Sequence, residues 1–312
     1  MKNNNLKTET IMGEKVICIY HSRDLDGWMS AAIVKLWYDQ DVLKKQTEEA
    51  EKKNGSFAAY PTLELIGWDY GQPIPNLHSG EQIIMVDICF PKETMQKLGE
   101  NGYGNLRWID HHISAIKEMK IDGFPEPSGL RNIHFAACEL TWKYLFPDDN
   151  MPEIVRLLGR YDCFGHKGTD EELKVLEFQY GARASLFDVD TCYQALKDWN
   201  ENLEHTIQVA GYNIYNYLCT EAESSYKKIF PVELDGYKFA CVNRERFNPI
   251  NFGIDYHKDG YDGFACFWYE DGQFSYSLYN DNGEVDCSVI AKNRGGGGHK
   301  GASGFRSSEI IK

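Results

Sequence analysis

The sequence predicts an α/β protein whose N-terminal domain is a mostly parallel sheet with helices on both faces. Short β-rich runs alternate with helical patterns through the first part of the chain, which is typical of βαβ units. At 312 residues the chain exceeds one ordinary hydrophobic core. After residue 230 the pattern changes to closely spaced strands. We therefore expect a first domain at 1–190, a helical connector at 191–230 and a smaller C-terminal α/β domain at 231–312.

The elements of the first domain follow from apolar periodicity. An apolar run at 15–20 predicts a buried strand, and a helical pattern runs from Gly27 to Trp37. Residues 39–56 are polar and charge-rich, which indicates a helix end followed by an exposed loop. Further strands are expected at 63–68, 82–86 and 106–109, and helices at about 135–145, 151–159 and 171–180.

The connector is mainly helical, with Gly211 as a candidate break. In the C-terminal domain, strands are predicted at 237–242, 263–269 and 273–279, and helices near 250–258 and from Ser288. Asp271-Gly272 is a strong hairpin signal between the last two strands. In the last strand, Phe274, Tyr276 and Leu278 should share one face.

Charge and composition limit the classes of partner. The formal net charge of −14 disfavours long duplex nucleic acid, whose binding depends on basic residues that neutralise phosphates. An anionic substrate should therefore be small and held by metal ions or a local positive pocket. No stretch approaches the roughly 20 apolar residues of a membrane span, so no membrane partner is expected. Nine scattered cysteines without a CxxC pair fit a reduced, cytoplasmic protein. The sequence leaves a homodimer open.

Carboxylates and imidazoles follow the ends of several predicted strands. They are His21, Asp24 and Asp26 after the first strand, Asp87 after the third, Asp110, His111 and His112 after the fourth, and Asp162 at the end of a helical stretch. The carboxyl ends of parallel strands border the crevice where ligands bind. Convergence of so many acidic groups is costly unless a cation holds them together. The mixture of oxygen and imidazole ligands favours Mn²⁺ over Mg²⁺, Co²⁺ or Fe²⁺.

Each piece of this pattern has an ordinary structural explanation when taken alone. A single Asp at a strand end often caps the next helix, and a His-His pair often lies on the surface. The glycine run at 295–298 is either a flexible linker or a loop whose backbone N–H groups approach an anion. Arg183 either reaches a phosphate or lies on the surface. The acidic and histidine residues occur together after the ends of several predicted strands, and this combination favours a metal site.

The motifs together resemble a known family. His-x-x-Asp-x-Asp-Gly at 21–27, the isolated Asp87, Asp110-His111-His112 and Asp162 are similar to the four metal motifs of the DHH phosphoesterases. The segment 295–304 resembles the glycine-rich signature of their DHH-associated C-terminal domain. The first motif has one residue fewer between its His and first Asp than many relatives. This spacing, with the Asp-Leu-Asp-Gly wording, is most similar to the branch of oligoribonucleotide-degrading nanoRNases.

The resemblance implies a role for each matching residue. One divalent ion would be held by His21, Asp24 and Asp87, and the other by Asp26, Asp87, His111 and Asp162. Asp110 would orient a histidine ring, and His112 would face the substrate phosphate. The residues expected to bind substrate are Arg294, Gly296, Gly297, Gly298 and His299. Two such ions lower the pKa of water and neutralise charge on a phosphate.

The expected function is a phosphodiesterase that releases 5′-mononucleotides from short oligonucleotides, RNA preferred, in a cleft between the domains. A 3′-phosphoadenosine 5′-phosphate phosphatase and a cyclic dinucleotide phosphodiesterase stay open, because fold and metal site fix the reaction but not the substrate. Pyrophosphatase and exopolyphosphatase are disfavoured, since basic residues replace the Gly-Gly-Gly-His loop in the pyrophosphatases of this superfamily. A non-catalytic nucleotide sensor should have lost metal ligands, and every expected ligand position is present.

Overall fold

The computed structural model describes residues 15–44, 62–78, 80–100, 105–119 and 127–311. The chain divides into two compact units, the first ending at Gln208 and the second beginning at Val209. The predicted division into two domains and a connector stays a prediction.

A four-stranded sheet forms the centre of the first unit. Its strands are β1 (Lys15–His21), β2 (Thr62–Trp68), β3 (Gln82–Val86) and β4 (Leu106–Ile109). They lie in the order β2-β1-β3-β4, and every neighbouring pair is parallel. The predicted parallel sheet is confirmed, and all four strands present their carboxyl ends at one edge.

Helices connect these strands and continue beyond them. They are α1 (Leu25–Trp37), α2 (Lys92–Glu100), α3 (Ile113–Met119), α4 (Ala137–Leu145), α5 (Glu153–Asp162), α6 (Glu172–Ser185), α7 (Val189–Lys197) and α8 (Glu201–Tyr226). A π-helical turn, Tyr38–Leu43, extends α1. The predicted loop at 45–56 lies outside the described residues.

Both faces of the first sheet are buried. Along β1, Val16 and Cys18 pack into one apolar core, whereas Ile17 and Ile19 pack into another. The first core includes residues of α1 and α4 to α8, and the second includes residues of α2 and α3. Alternate strand residues therefore bury opposite faces, and the predicted helices on both faces are confirmed.

A six-stranded mixed sheet forms the second unit. Its strands are β5 (Phe230–Leu234), β6 (Tyr237–Asn243), β7 (Gly263–Glu270), β8 (Gln273–Tyr279), β9 (Gly297–Gly298) and β10 (Ala302–Ser307). They lie in the order β5-β6-β7-β8-β10-β9, and β6 pairs with β7 in parallel while the other pairs are antiparallel. The short helix α9 (Cys287–Lys292) packs against β10.

The hairpin between β7 and β8 turns at the predicted dipeptide. Asp271 and Gly272 have φ values of 49° and 81°, which is the backbone geometry of a type I′ turn. Tyr276 and Leu278 are buried on one face of β8, and Phe274 packs against the same core. The predicted hairpin and its apolar face are confirmed.

Two expectations about elements are wrong. The helix expected near 250–258 is replaced by two 3-10 turns, Pro249–Phe252 and Tyr256–Asp259, each ended by a glycine with positive φ. Gly211 does not break α8, because packing of that helix outweighs the roughly 1 kcal/mol cost of an interior glycine. Residues 191–230 are mainly helical as expected, because they contain most of α7 and all of α8.

All nine cysteines lie within the described residues and are free thiols. In the same part of the chain, no helix combines the length and the apolar character that crossing a membrane requires.

Candidate metal centre

The carboxyl edge of the first sheet carries one polar residue after another. In the order of the strands, β2 is followed by Asp69, β1 ends in His21, β3 is followed by Asp87 and β4 by Asp110. His21 pairs with Trp68, and Tyr20 pairs with Val86, so these polar residues lie at nearly one level. The parallel register therefore brings together side chains that are distant in sequence.

Six side chains of this edge form what we call the strand-end cluster: His21, Asp24, Asp26, Asp87, His111 and Asp162. One triad within it, His21, Asp24 and Asp87, has ligand atoms that all lie within 4.8 Å of one another. The Nδ1 atom of His21 lies 2.9 Å from Asp24 Oδ2 and 3.4 Å from Asp87 Oδ2. These are the three residues expected to hold the first ion.

A second triad is formed by Asp26, His111 and Asp162, again with ligand atoms within 4.8 Å of one another. His111 Nε2 lies 3.2 Å from Asp162 Oδ2, 3.7 Å from Asp26 Oδ2 and 3.4 Å from Asp87 Oδ1. Asp87 therefore contacts both histidines through different oxygens. Asp87 belongs to the first triad and contacts the second through His111, as expected of the shared ligand that the sequence resemblance implies.

The backbone at Asp87 departs from ordinary strand geometry. Its φ is 60°, in the left-handed region that Asp tolerates better than most residues. Its N–H donates to the carbonyl of Ile109 at 3.0 Å, which ties it to the neighbouring strand. Such conformations persist where the surroundings hold them, and they concentrate at functional sites.

Two carboxylates of the cluster are positioned by helix N-termini. Asp24 caps α1 by accepting a hydrogen bond from the N–H of Gly27, where a Cβ would lie 2.0 Å from the His21 carbonyl oxygen. Asp26 accepts hydrogen bonds of 2.8 Å from the N–H groups of Ala137 and Cys138, in the first turn of α4. The positive end of the α4 dipole therefore holds this carboxylate.

The donor set fits divalent cations. Asp87 Oδ1 and His21 Nδ1 are buried, and their neighbours within the described ranges are other candidate ligand atoms: His111 Nε2 at 3.4 Å from the first and Asp24 Oδ2 at 2.9 Å from the second. Buried polar atoms of native proteins are normally satisfied, and a divalent cation would satisfy several of these atoms at once. The combination of carboxylates and imidazoles without thiolate suits Mn²⁺ and similar metals.

Electrostatics support the same interpretation. Burial opposes the charged form of His21 and of His111, but the neighbouring carboxylates prevail and raise the pKa of each to about 11. Burial and the carboxylates of Asp87 and Asp162 raise the pKa of Asp26 well above its usual value. Burial likewise raises the pKa of Asp162 to about 6. Without a metal the cluster is stabilised by protons, whose place divalent cations would take.

Asp110 holds His112 in place. The Asp110 carboxylate is fully buried and accepts hydrogen bonds from the N–H groups of His111 and His112 and from Trp108 Nε1. His112 Nδ1 lies 2.8 Å from Asp110 Oδ1. Burial opposes the charge on His112, but Asp110 and Asp87 raise its pKa to about 9. The histidine oriented by Asp110 is thus His112.

One residue of this edge was missed by the sequence analysis. Asp69 Oδ1 lies 3.6 Å from His21 Nε2, and Asp69 Oδ2 accepts a hydrogen bond of 2.6 Å from Arg23 Nε. Asp69 follows β2 directly, so the strand-end rule that identified Asp87 also applies to it. It lies beside Nε2 of the His21 ring, whereas Nδ1 of the same ring faces Asp24 and Asp87.

The predicted substrate-binding residues lie in the second unit, where we call 295–298 the glycine segment. A Cβ on Gly296 would lie 2.0 Å from the Gly304 carbonyl oxygen, and one on Gly298 would lie 2.7 Å from Ser303 Cα. Gly297 and Gly298 pair with β10, so the segment is an ordered turn. The linker interpretation is therefore wrong.

The neighbours of the glycine segment make their own contacts. Arg294 donates to Asp235 Oδ1 at 2.8 Å, which places a carboxylate on its guanidinium. The N–H of His299 donates to the Ala302 carbonyl at 2.7 Å, within the turn that leads to β10. Contact of Arg294, the segment and His299 with a substrate stays a prediction.

Comparison with known proteins identifies the fold. The sequence matches no model of a protein family. An uncharacterized protein of Acanthamoeba polyphaga mimivirus is 23% identical over 307 residues, covering 94% of this chain and 68% of that protein. These sequence comparisons alone assign no family.

Two solved structures resemble the chain along nearly its whole length. An exopolyphosphatase-related protein from Bacteroides fragilis superposes with a TM-score of 0.53 at 12% identity, covering 96% of this chain and 88% of that one. The DHH domain of a member of the s1p family of ribosomal proteins gives a TM-score of 0.51 at 15% identity, covering 94% and 83%. The resemblance to DHH proteins is confirmed at the level of the fold.

Proposed function

We propose that this chain, which has the fold of the DHH-domain proteins, is a metal-dependent phosphoester hydrolase. The observation that carries the proposal is the geometry of the strand-end cluster. The triad of His21, Asp24 and Asp87 adjoins the triad of Asp26, His111 and Asp162, and the two oxygens of Asp87 face His21 and His111. Such a pair of adjacent ligand sets is the arrangement that two-metal phosphoryl transfer requires.

The ligands divide between two cations. His21, Asp24 and Asp87 hold one, and Asp26, Asp87, His111 and Asp162 hold the other. The donor chemistry favours Mn²⁺, with Mg²⁺, Co²⁺ and Fe²⁺ as alternatives. When bound, the cations supply positive charge to the phosphate oxygens and lower the pKa of water. No side chain of the protein is needed as a covalent nucleophile.

The residues around the ligands control protons and orientation. Asp110 fixes the His112 ring through Nδ1 and supports the protonated imidazole. A protonated His112 beside the cluster donates a hydrogen bond to a phosphate oxygen or a proton to the leaving oxygen. Asp69 orients the His21 ring from the side away from the ligands. These residues orient the ligands and stabilise charge, and water is the nucleophile that attacks the phosphorus.

The substrate class that fits best is a short oligonucleotide, RNA preferred, cleaved to 5′-mononucleotides. The net charge of −14 supports a small substrate, since a long polyanion would be repelled by most of the surface. The Asp24-Leu25-Asp26-Gly27 motif supports similarity to the branch that degrades oligoribonucleotides. The same cluster also serves a 3′-phosphoadenosine 5′-phosphate phosphatase or a cyclic dinucleotide phosphodiesterase.

A substrate panel tests the proposal. The purified full chain is assayed with Mn²⁺, Mg²⁺ or EDTA against RNA and DNA of two to five nucleotides, 3′-phosphoadenosine 5′-phosphate, cyclic dinucleotides and pyrophosphate. We expect Mn²⁺-dependent release of 5′-mononucleotides from short RNA, with slower cleavage of DNA. Faster turnover of another phosphoester would replace the substrate but keep the reaction class. If no substrate is turned over in the presence of Mn²⁺, the proposal that the protein is a phosphoester hydrolase is refuted.

A further inference from the structure

The strand-end cluster opens to solvent on one side. The side chains of Asp26 and Asp87 are each 2% exposed, whereas those of Asp24 and Asp162 are 42% and 33% exposed. A substrate therefore approaches the cluster from the side of these two carboxylates. Groups beside Asp24 and Asp162 are the ones positioned to contact the substrate next to its reacting phosphate.

An arginine is stacked on the tyrosine that precedes Asp162. Arg183, in the last turn of α6, has its guanidinium carbon 5.3 Å from the ring centre of Tyr161 and 5.4 Å from that of Tyr180. Tyr161 is itself stacked on the buried His166 ring, with centroids 5.4 Å apart. The guanidinium is therefore held over a fixed aromatic platform while the residue remains exposed.

The charge of Arg183 has no acidic partner. Its recorded hydrogen bond is a contact of 3.4 Å with the Tyr161 hydroxyl, and within the described part of the chain no carboxylate lies within 4 Å of it. The five other arginines of the first unit donate to carboxylate, amide or carbonyl oxygens: Arg23, Arg107, Arg131, Arg156 and Arg160. In a chain with 47 acidic residues, an unneutralised and immobilised guanidinium is unusual.

The carboxylate that follows Tyr161 in the sequence contacts a histidine of the cluster instead. Asp162 lies 3.2 Å from His111 Nε2 and does not pair with Arg183. The stacking on Tyr161 holds the guanidinium beside the residue that precedes Asp162. Burial opposes the charge of Arg183, but Tyr161, Tyr180 and Asp162 raise its pKa. The N–H groups of the Arg183 guanidinium are thus available to a ligand at the open side of the cluster.

We propose that Arg183 binds a second phosphate of the substrate, adjacent to the phosphate that is hydrolysed. This inference rests on the proposed function, and it adds a specificity residue on α6 to the metal ligands. A planar guanidinium matches two phosphate oxygens through parallel hydrogen bonds, which a lysine ammonium does not reproduce. Substrates with two phosphates gain this contact, and substrates with one phosphate do not.

Two dinucleotides that differ only in a terminal phosphate test the proposal. Arg183→Gln and wild type are assayed with Mn²⁺ on 5′-phosphorylated diadenylate and on the unphosphorylated form, which share the same diester. We expect the variant to raise KM for the phosphorylated substrate about 10- to 100-fold, the size of a charge-assisted contact. The rise for the unphosphorylated substrate should be at least about tenfold smaller. Arg183→Lys should recover part of the discrimination.

Arg156→Gln is the matched control, because it removes the same charge from a guanidinium already paired with Glu153 and Glu171. Thermal unfolding establishes that each variant is folded. Equal losses on both dinucleotides, or an equal discrimination defect in Arg156→Gln, would overturn the role of Arg183. If wild type cleaves neither dinucleotide, the proposed oligonucleotide substrate fails. Calorimetric affinities for the two dinucleotides, compared between wild type and Arg183→Gln, then still decide this inference.

Discussion

The strand-end cluster of the first unit and the glycine segment of the second are built in opposite ways. In the cluster, the backbone positions charged side chains that act as ligands, and Asp87 adopts a left-handed φ in this arrangement. In the glycine segment, side chains are excluded because neighbouring backbone occupies the space of a Cβ at Gly296 and Gly298. Substitutions that keep the shape of a side chain but remove its charge should therefore impair the cluster. Substitutions that only add bulk should impair the glycine segment.

An isosteric substitution at Asp87 gives the largest expected effect. Asp87→Asn keeps the size of the side chain and tolerates the same φ, but it removes the charge shared by both ligand sets. We expect activity on every substrate to fall on the order of a thousandfold or more, because both cations lose a ligand. Activity and bound Mn²⁺ per chain, by mass spectrometry of the metal, are the measurements.

Asp190→Asn is the control for this substitution, since Asp190 is exposed and pairs with Lys35 on the surface. An Asp87→Asn protein that keeps more than a tenth of wild-type activity would show that charge at this position is dispensable.

A single methyl group should be enough to damage the glycine segment. Gly296→Ala places a Cβ 2.0 Å from the Gly304 carbonyl oxygen, so backbone must move. We expect a loss of about 2–3 kcal/mol in the free energy of unfolding of the second unit, as in overpacked cores. Urea denaturation of the full chain, followed by circular dichroism, measures this loss.

Gly297→Ala is the matched comparison in the same segment, because a Cβ there meets no atom within 4 Å. Its stability should stay within about 1 kcal/mol of wild type. Similar losses in the two variants would contradict the steric account of the segment.

A smaller chemical effect is expected at Asp110, which contacts His112 and two backbone N–H groups. Asp110→Asn retains the shape but weakens the hold on the ring, and such orienting partners typically contribute about 10- to 100-fold to activity. The loss should appear in kcat, with the pH profile shifted towards lower pH as the pKa of His112 falls. An unchanged pH profile would argue against a protonated His112 in the reaction.

The affinity for metal should depend on pH in a defined direction. Burial opposes the charge on His21 and His111, but their carboxylate neighbours raise both pKa values from 6.5 to about 11. Each imidazole must lose its proton to bind a metal, so protons compete with Mn²⁺ across neutral pH. We expect the apparent affinity to rise about tenfold for each proton released per pH unit between pH 6 and 8.

Titration calorimetry in two buffers with different ionisation enthalpies measures both the affinity and the number of protons released. An affinity that does not change with pH would mean that no proton leaves the cluster on binding.

Much of the fold and of the candidate site was predictable because the relevant signals are local. The apolar runs at 15–20 and 82–86 are too regular to be anything but buried strands, and parallel strands necessarily align their ends. Asp87 and His111 could be placed together from that rule alone. Asp69 obeys the same rule and was overlooked, because it matches none of the four motifs that drew attention to Asp87 and the other residues.

Other features depend on tertiary contacts that no local pattern reveals. The helices α2 and α3 are short, α2 is also largely polar, and the core beneath Met95 and Ala115 fixes them. The turns at 249–259 have apolar residues at helical spacing, but Gly253 and Gly260 adopt positive φ and end each turn. The stacking of Arg183 on Tyr161 joins two helices and is visible only once these helices pack together.

The hydrogen bonds of Asp26 give one carboxylate two duties. The carboxylate that faces His111 through Oδ2 also accepts hydrogen bonds from the first N–H groups of α4, so a change of residue here disturbs a helix as well as a ligand. Homologues that have lost the catalytic activity should therefore have replaced the partly exposed Asp162 first. They should retain Asp26 longer, because the helix still needs its carboxylate.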